Sequence, residues 1–209
     1  MKTIVCYGDS NTWGADPSGV GRIPIEQRWT GVLARELGAN FRVVEEGLNG
    51  RTTNLDDIIE VQRNGLTHLR PTLESQAPID LLTIMLGTND LKDRFHRNAG
   101  DIAQSAAILC DTARHLPVGP EGGSPLVLMM APPVAGAMGD LESIFTGAIE
   151  KSKRFSSEYT AWAKRYALPF LDTSQIIVSS PRDGIHIDPP DHAKLGIAVA
   201  AKIRELIGN

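Results

Sequence analysis

Several short segments carry residues whose types and spacing could do nucleophilic chemistry. Gly8–Asp9–Ser10–Asn11–Thr12–Trp13–Gly14 follows an apolar run, so the Ser10 hydroxyl is predicted at the mouth of a sheet with its backbone N–H free to donate. That is a nucleophile's position, although an Asp–Ser pair after a strand is also a common helix N-cap. Asn49–Gly50 offers a glycine that lets backbone approach a ligand and aim an N–H at developing negative charge; the same dipeptide alone reads as a turn. Gly87–Thr88–Asn89–Asp90 adds the Asn89 amide as a further donor, again within a turn-forming sequence. Asp183–Gly184–Ile185–His186 sets a carboxylate within one turn of an imidazole, where the acid can orient the ring and stabilise its protonated form, though such clusters also occur in surface turns. No Gly–x–Ser–x–Gly elbow is present, which disfavours the α/β-hydrolase arrangement of a serine triad.

The elements that must position these residues can be read from apolar periodicity. Five β-rich runs stand out, Thr3–Tyr7, Arg42–Glu46, Asp80–Leu86, Leu126–Ala131 and Pro169–Leu171. Between them apolar residues recur at helical spacing: Trp29, Val32, Leu33 and Leu37; Ile102, Ala106, Leu109, Ala113 and Leu116; Phe155, Tyr159, Trp162 and Tyr166; Leu195, Val199, Ile203 and Leu206. Strands joined by helical crossovers pair in parallel, and runs as continuous as Leu81–Leu86 are expected where both sheet faces are covered. The class is α/β, doubly wound, as one domain over residues 1–209. In such sheets ligands bind beyond the carboxyl ends of the strands, where each polar segment above falls.

Composition narrows the function. The 209 residues are 42% apolar and 22% charged, with 21 Lys+Arg against 25 Asp+Glu for a net charge of −4. There is no basic block to neutralise a row of phosphates and no apolar run long enough for a bilayer, so neither nucleic acid nor membrane is an expected partner. Lys2 precedes only a short apolar run without a small-residue cleavage site, so a cytoplasmic location is expected. Cys6 and Cys110 are too few for a disulfide framework or a structural zinc site. No Gly–x–Gly–x–x–Gly or phosphate-binding loop occurs, and the reading requires no cofactor.

In their order and setting, Gly8–Asp9–Ser10, Gly50, Gly87–Thr88–Asn89–Asp90 and Asp183–x–x–His186 resemble the motifs of the SGNH (GDSL-type) hydrolases. Arg28–Trp29–Thr30–Gly31–Val32–Leu33, Glu45–Glu46–Gly47–Leu48, Arg51–Thr52–Thr53 and Ile84–Met85–Leu86 look like the bacterial arylesterase/acyltransferase branch, and the resemblance spans nearly the whole chain. Asn11 stands where many relatives have leucine, and Glu46 where the wider family often has asparagine. The resemblance implies a flavodoxin-like three-layer fold with a five-stranded parallel sheet. It also implies Ser10 as nucleophile, His186 as base, Asp183 as orienting acid, and an oxyanion hole from the Ser10 N–H, the Gly50 N–H and Asn89.

The expected activity is metal-independent hydrolysis of small acyl esters, with acyl transfer to alcohols as a second activity. The alternatives are a non-catalytic small-ligand binder on the same scaffold and a carbohydrate or antibiotic deacetylase using the same residues. Asn11, Trp13, Lys92, Ile144, Phe145 and Ile185 are the candidate lining of the substrate pocket, though packing or solvent exposure explains each equally well. Loops at Asp16–Ile25 and Pro132–Gly139 frame the expected mouth, and the branch resembled includes oligomers that narrow the channel there, so a homo-oligomer is expected. His68, His96 and His115 read as surface residues. His186, Asp188, Asp191 and His192 could be drawn as a metal site, but Asp191 as cap of the last helix is the simpler reading.

Overall fold

Along β1, Lys2–Gly8, side chains alternate between two apolar layers: Val5 and Tyr7 enter one, Ile4 and Cys6 the other. The computed structural model describes residues 1–208. Four further strands, β2 (Phe41–Gly47), β3 (Leu81–Met85), β4 (Leu126–Ala131) and β5 (Phe170–Asp172), complete one parallel sheet of order β2-β1-β3-β4-β5. The helices are α1 (Ser10–Trp13), α2 (Trp29–Leu37), α3 (Gly65–Gln76), α4 (Ala99–Ala113), α5 (Ala148–Ser152), α6 (Phe155–Arg165) and α7 (Pro189–Ile207). Trp29 and Leu33 of α2 with Leu195, Val199 and Ile203 of α7 cover one face of the sheet. Leu69 and Leu73 of α3, Ile102 and Ala106 of α4, and Tyr159 of α6 cover the other. Each fully buried side chain of this size contributes about 1.5–3 kcal/mol of transfer free energy, so the two layers hold the sheet between them.

This is the doubly wound α/β architecture expected, and its register positions the site. Gly8 lies opposite Gly47 on one side and Met85 on the other, so β1, β2 and β3 end level with one another. The chain runs outward from β1 to β2 and then returns to the opposite side of β1 for β3. That reversal opens a crevice at the carboxyl ends of the strands.

Helix α3 lacks a clear signature in the sequence. Only Gly65, Leu69 and Leu73 are buried in it, and Pro71 stands inside it, where proline removes a hydrogen bond and normally argues against helix. The Asn64 side chain starts it by accepting the N–H groups of Leu66 and Thr67 at 3.0 and 3.2 Å. Leu116 falls beyond the end of α4, and β5 begins one residue later than the apolar run. No described helix is long and apolar enough to cross a membrane.

Candidate active site

Ser10 is the first residue of α1, immediately beyond β1. The preceding Asp9 caps that turn, its Oδ1 accepting the Asn11 N–H at 3.0 Å. His186 Nε2 lies 2.9 Å from Ser10 Oγ, and His186 Nδ1 lies 2.6 Å from Asp183 Oδ2. The other Asp183 oxygen accepts the backbone N–H groups of Ile185 and His186, both at 3.0 Å. Burial alone would push the Asp183 carboxyl up, but the bond from His186 and these backbone donors outweigh it and hold it below the usual carboxylate range.

The loop carrying Asp183 and His186 is fixed by its own backbone: Ser180 N–H donates to His186 O at 2.7 Å and Gly184 N–H to Ser180 O at 2.8 Å. Gly184 itself has φ +72°, and a Cβ there would lie 2.5 Å from Ala137 O. Only glycine combines that conformation with so close a neighbour. Gly136 N–H then bonds Gly184 O at 2.7 Å, tying the segment after β4 to this loop.

On the other side of Ser10, Gly50 turns the chain with φ +79°. Among the described residues, neither its N–H nor that of Ser10 donates a hydrogen bond, so both are free for a ligand oxygen. The Asn89 amide Nδ2 donates to Arg51 O at 3.1 Å, leaving its second hydrogen for the same purpose. Arg51 is buried over the Tyr7 ring, 4.0 Å from guanidinium carbon to ring centre, and donates to Gly8 O at 2.7 Å and to Glu46 O. Asp90 accepts both the N–H and the hydroxyl of Thr53. The ends of β1, β2 and β3 are thus laced together beneath Ser10. Burial pushes the carboxyls of Asp9 and Asp90 up to about 6.

A cavity of about 240 Å³ opens at Ser10 and His186, lined by the polar segment residues Asn49, Gly50 and Asn89 and by the apolar Leu141, Ile144, Phe145 and Ile185. Lys92 and Glu60 also line it. Two expected lining residues do not. Trp13 stacks against Arg22, 4.7 Å from ring centre to guanidinium carbon, while its main chain packs so closely on Gly47 that a Cβ there would collide with it. Asn11 is buried away from the cavity, its Nδ2 donating to Ile185 O at 3.2 Å, where leucine could not bond. Glu60 went unread because it lies in a loop without periodicity, far in sequence from Lys92.

The metal drawing fails on orientation. His192 is wholly buried, with Nδ1 accepting the Trp29 N–H at 3.1 Å. Among the described residues no group of three His, Cys, Asp or Glu is placed to hold a metal ion. Asp191 does not cap α7 either: Asp188 occupies that position, and Asp191, inside the first turn, pairs with Lys194 at 2.7 Å. His96 and His115 are exposed and His68 is half-buried, and none of them lines the cavity.

A hydroxyl, an imidazole and a carboxylate in line, beside unpaired N–H donors at the crevice of a parallel α/β sheet, form the arrangement of a serine-dependent acyl hydrolase. The chain belongs to the GDSL-like lipase/acylhydrolase family, whose model matches residues 6–194, and is a carboxylic ester hydrolase. It is 38% identical to an M. smegmatis aryl esterase solved in an inhibitor-bound form, covering 99% of this chain and 100% of that one with a TM-score of 0.94. A carbohydrate acetylesterase from Sinorhizobium meliloti is 39% identical over 99% of this chain and 100% of its own, also at 0.94. A second carbohydrate acetylesterase family member from that organism is 34% identical with 100% of both chains covered, TM-score 0.94. No curated protein matches the sequence.

Proposed function

We propose that this esterase acts on small acyl esters through an acyl-enzyme on Ser10. His186 takes the hydroxyl proton as Oγ forms a bond to the ester carbonyl, and Asp183 stabilises the resulting imidazolium. The Ser10 and Gly50 N–H groups and Asn89 Nδ2 receive the negative oxygen, one such donor being typically worth about 3 kcal/mol. Collapse expels the alcohol, which leaves with the proton from His186. Water, activated by the same imidazole, then releases the acid. The observation that carries this reading is the line of contacts from Ser10 Oγ to His186 Nε2 and from His186 Nδ1 to Asp183, at 2.9 and 2.6 Å, at the mouth of a small cavity. A fluorophosphonate probe should label Ser10 in the wild type and fail on Ser10→Ala, with p-nitrophenyl acetate turnover lost in parallel. An unlabelled Ser10 would leave a ligand-binding protein on this scaffold.

The same residues serve deacetylation of a carbohydrate, which the resemblance to the two acetylesterases supports. Acyl transfer is the second activity in this reading. It is supported by the apolar wall of Leu141, Ile144, Phe145 and Ile185, which would hold an alcohol better than water. Product analysis with a vinyl ester and excess primary alcohol checks it, since free acid alone would remove it. A homo-oligomer is supported by the exposed apolar side chains of Ile58, Ile59 and Val61 near the mouth, and light scattering at the mass of one chain would exclude it. A cytoplasmic location fits two buried cysteines held as thiols, and cell fractionation tests it.

A further inference from the structure

Beside its apolar residues the cavity lining carries charge, from Glu60 and Lys92. Lys92 Nζ, on a side chain only 4% exposed, lies 2.6 Å from Glu60 Oε1. Arg94 Nη2 reaches the same oxygen at 3.1 Å. Behind them Asp57, fully buried, takes Arg94 Nε at 3.2 Å and lies 3.9 Å from the Lys92 ammonium. Two cations and two carboxylates therefore balance within the cluster, but they are not placed alike. Glu60 is its most open member, with 41% of its side chain exposed, and among the described residues its Oε2 makes no hydrogen bond. That oxygen lies against Gly50, so close that a Cβ on Gly50 would collide with it.

The loop holds Glu60 in this position. Its ends are joined by Thr52, whose N–H donates to Arg63 O at 2.9 Å and whose hydroxyl donates to Leu55 O at 2.6 Å. Within the loop, Asp57 Oδ1 accepts the N–H groups of Ile59 and Glu60 at 2.9 and 3.1 Å. The same Asp57 thus fixes both the backbone of Glu60 and, through Arg94, the cation that holds its carboxylate. A charged group set by this many bonds acts as part of the pocket rather than as a mobile surface residue.

We infer that the Glu60 carboxylate, with Lys92 as its counter-ion, sets the charge selectivity of this esterase: cationic and neutral esters are accepted and anionic esters rejected. The inference rests on the esterase reading above. Both cations bind Oε1, which leaves Oε2, the oxygen beside Gly50, as the unpaired end of the ion pair at a cavity that Gly50 and Glu60 both line. The other charged groups about the cavity, Asp183 with His186 beside the nucleophile, Asp9, Asp90 and Arg51 beneath it, and Arg63 beside Gly50, are unchanged in the variants below and cancel in the comparison with the wild type. Removing the Glu60 charge leaves Lys92 and Arg94 facing Asp57 alone, an excess positive charge at the wall, whereas removing the Lys92 charge leaves an excess negative one. At about 6 Å in a water-like dielectric, a unit charge shifts a cationic and an anionic substrate by about threefold each in opposite directions, or about tenfold in their ratio.

The test uses three acetates of similar shape and different charge: acetylcholine, 3,3-dimethylbutyl acetate and 3-sulfopropyl acetate. For the wild type, kcat/KM should fall in that order. In Glu60→Gln the anion-to-cation ratio of kcat/KM should rise about tenfold, and in Lys92→Met it should move the opposite way, both effects shrinking in high salt. A merely structural role would lower all three rates together and leave the ratio fixed in both variants, which would overturn the inference while leaving the esterase reading intact. A wild type that turns over p-nitrophenyl acetate but none of the three esters, or all three at equal rates, would likewise overturn the inference alone; only loss of p-nitrophenyl acetate turnover as well would reach the esterase reading.

Discussion

The wholly buried ring of His192, in the first turn of α7, accepts the backbone N–H of Trp29 at 3.1 Å, so one helix caps another across the domain core. Trp29 opens α2, and the residue before it, Arg28, supplies no side-chain cap. The donor must meet a lone pair, which fixes the ring as neutral with its proton on Nε2. Burial holds the His192 pKa down at about 3. Unfolded, the residue titrates near 6.5, so its contribution to stability is complete above that pH and is lost as the pH falls toward 3, by about 2 kcal/mol at pH 5. Asparagine keeps an acceptor near Nδ1 and cannot titrate. His192→Asn is expected to be less stable than wild type at pH 7.5, with the gap narrowing or reversing at pH 5, as read by urea unfolding. A gap independent of pH would mean that the ring accepts a proton within the fold.

Asp90 titrates in the opposite sense. Burial raises its folded pKa to about 6, so its contribution is most favourable below the unfolded value near 4 and is lost as the pH rises toward 6. Asp90→Asn retains an acceptor for Thr53 and removes that loss. Between pH 4 and pH 7.5 the variant should lose about 2 kcal/mol less than wild type in unfolding free energy. Parallel pH profiles would contradict this.

Gly184 carries the turn that brings Asp183 to His186. In Gly184→Ala a Cβ is forced to within 2.5 Å of Ala137 O at φ +72°, and the loop must shift. A loss of about 1–3 kcal/mol in stability is expected, with kcat/KM for p-nitrophenyl acetate down at least tenfold. Full activity in the variant would show that the loop tolerates displacement.

Asn89→Ala removes the side-chain donor beside Ser10 and frees Arg51 O. If the donor acts on the transition state, kcat should fall about 10²- to 10³-fold with KM nearly unchanged. Steady-state kinetics on an aryl acetate separate the two parameters, and a change confined to KM would place Asn89 outside the oxyanion hole.

The sheet was legible in the sequence because strand alternation and continuous apolar runs are local signals, and β1 to β4 follow them closely. The segments around Ser10, Gly50, Asn89 and His186 were legible for a related reason: each sits just past a strand or within one turn, where local backbone chemistry restricts the residue types. Helix α3 was not, since Pro71 argues against a helix that its Asn64 cap and its burial on the sheet sustain. Trp13 shows the limit in the other direction, for adjacency to Ser10 did not determine where its ring would point. Glu60 and Lys92 are 32 residues apart, and nothing in either segment names the other as its partner. His192 and Trp29 are separated by 163. Such pairs form because the crossovers bring distant elements within hydrogen-bonding range, and a buried polar group then takes whatever partner the packing supplies. The residue types of the segments that converge on the cavity are written locally; the charge of the wall they face, and the protonation of the buried residues behind them, are set by tertiary structure alone.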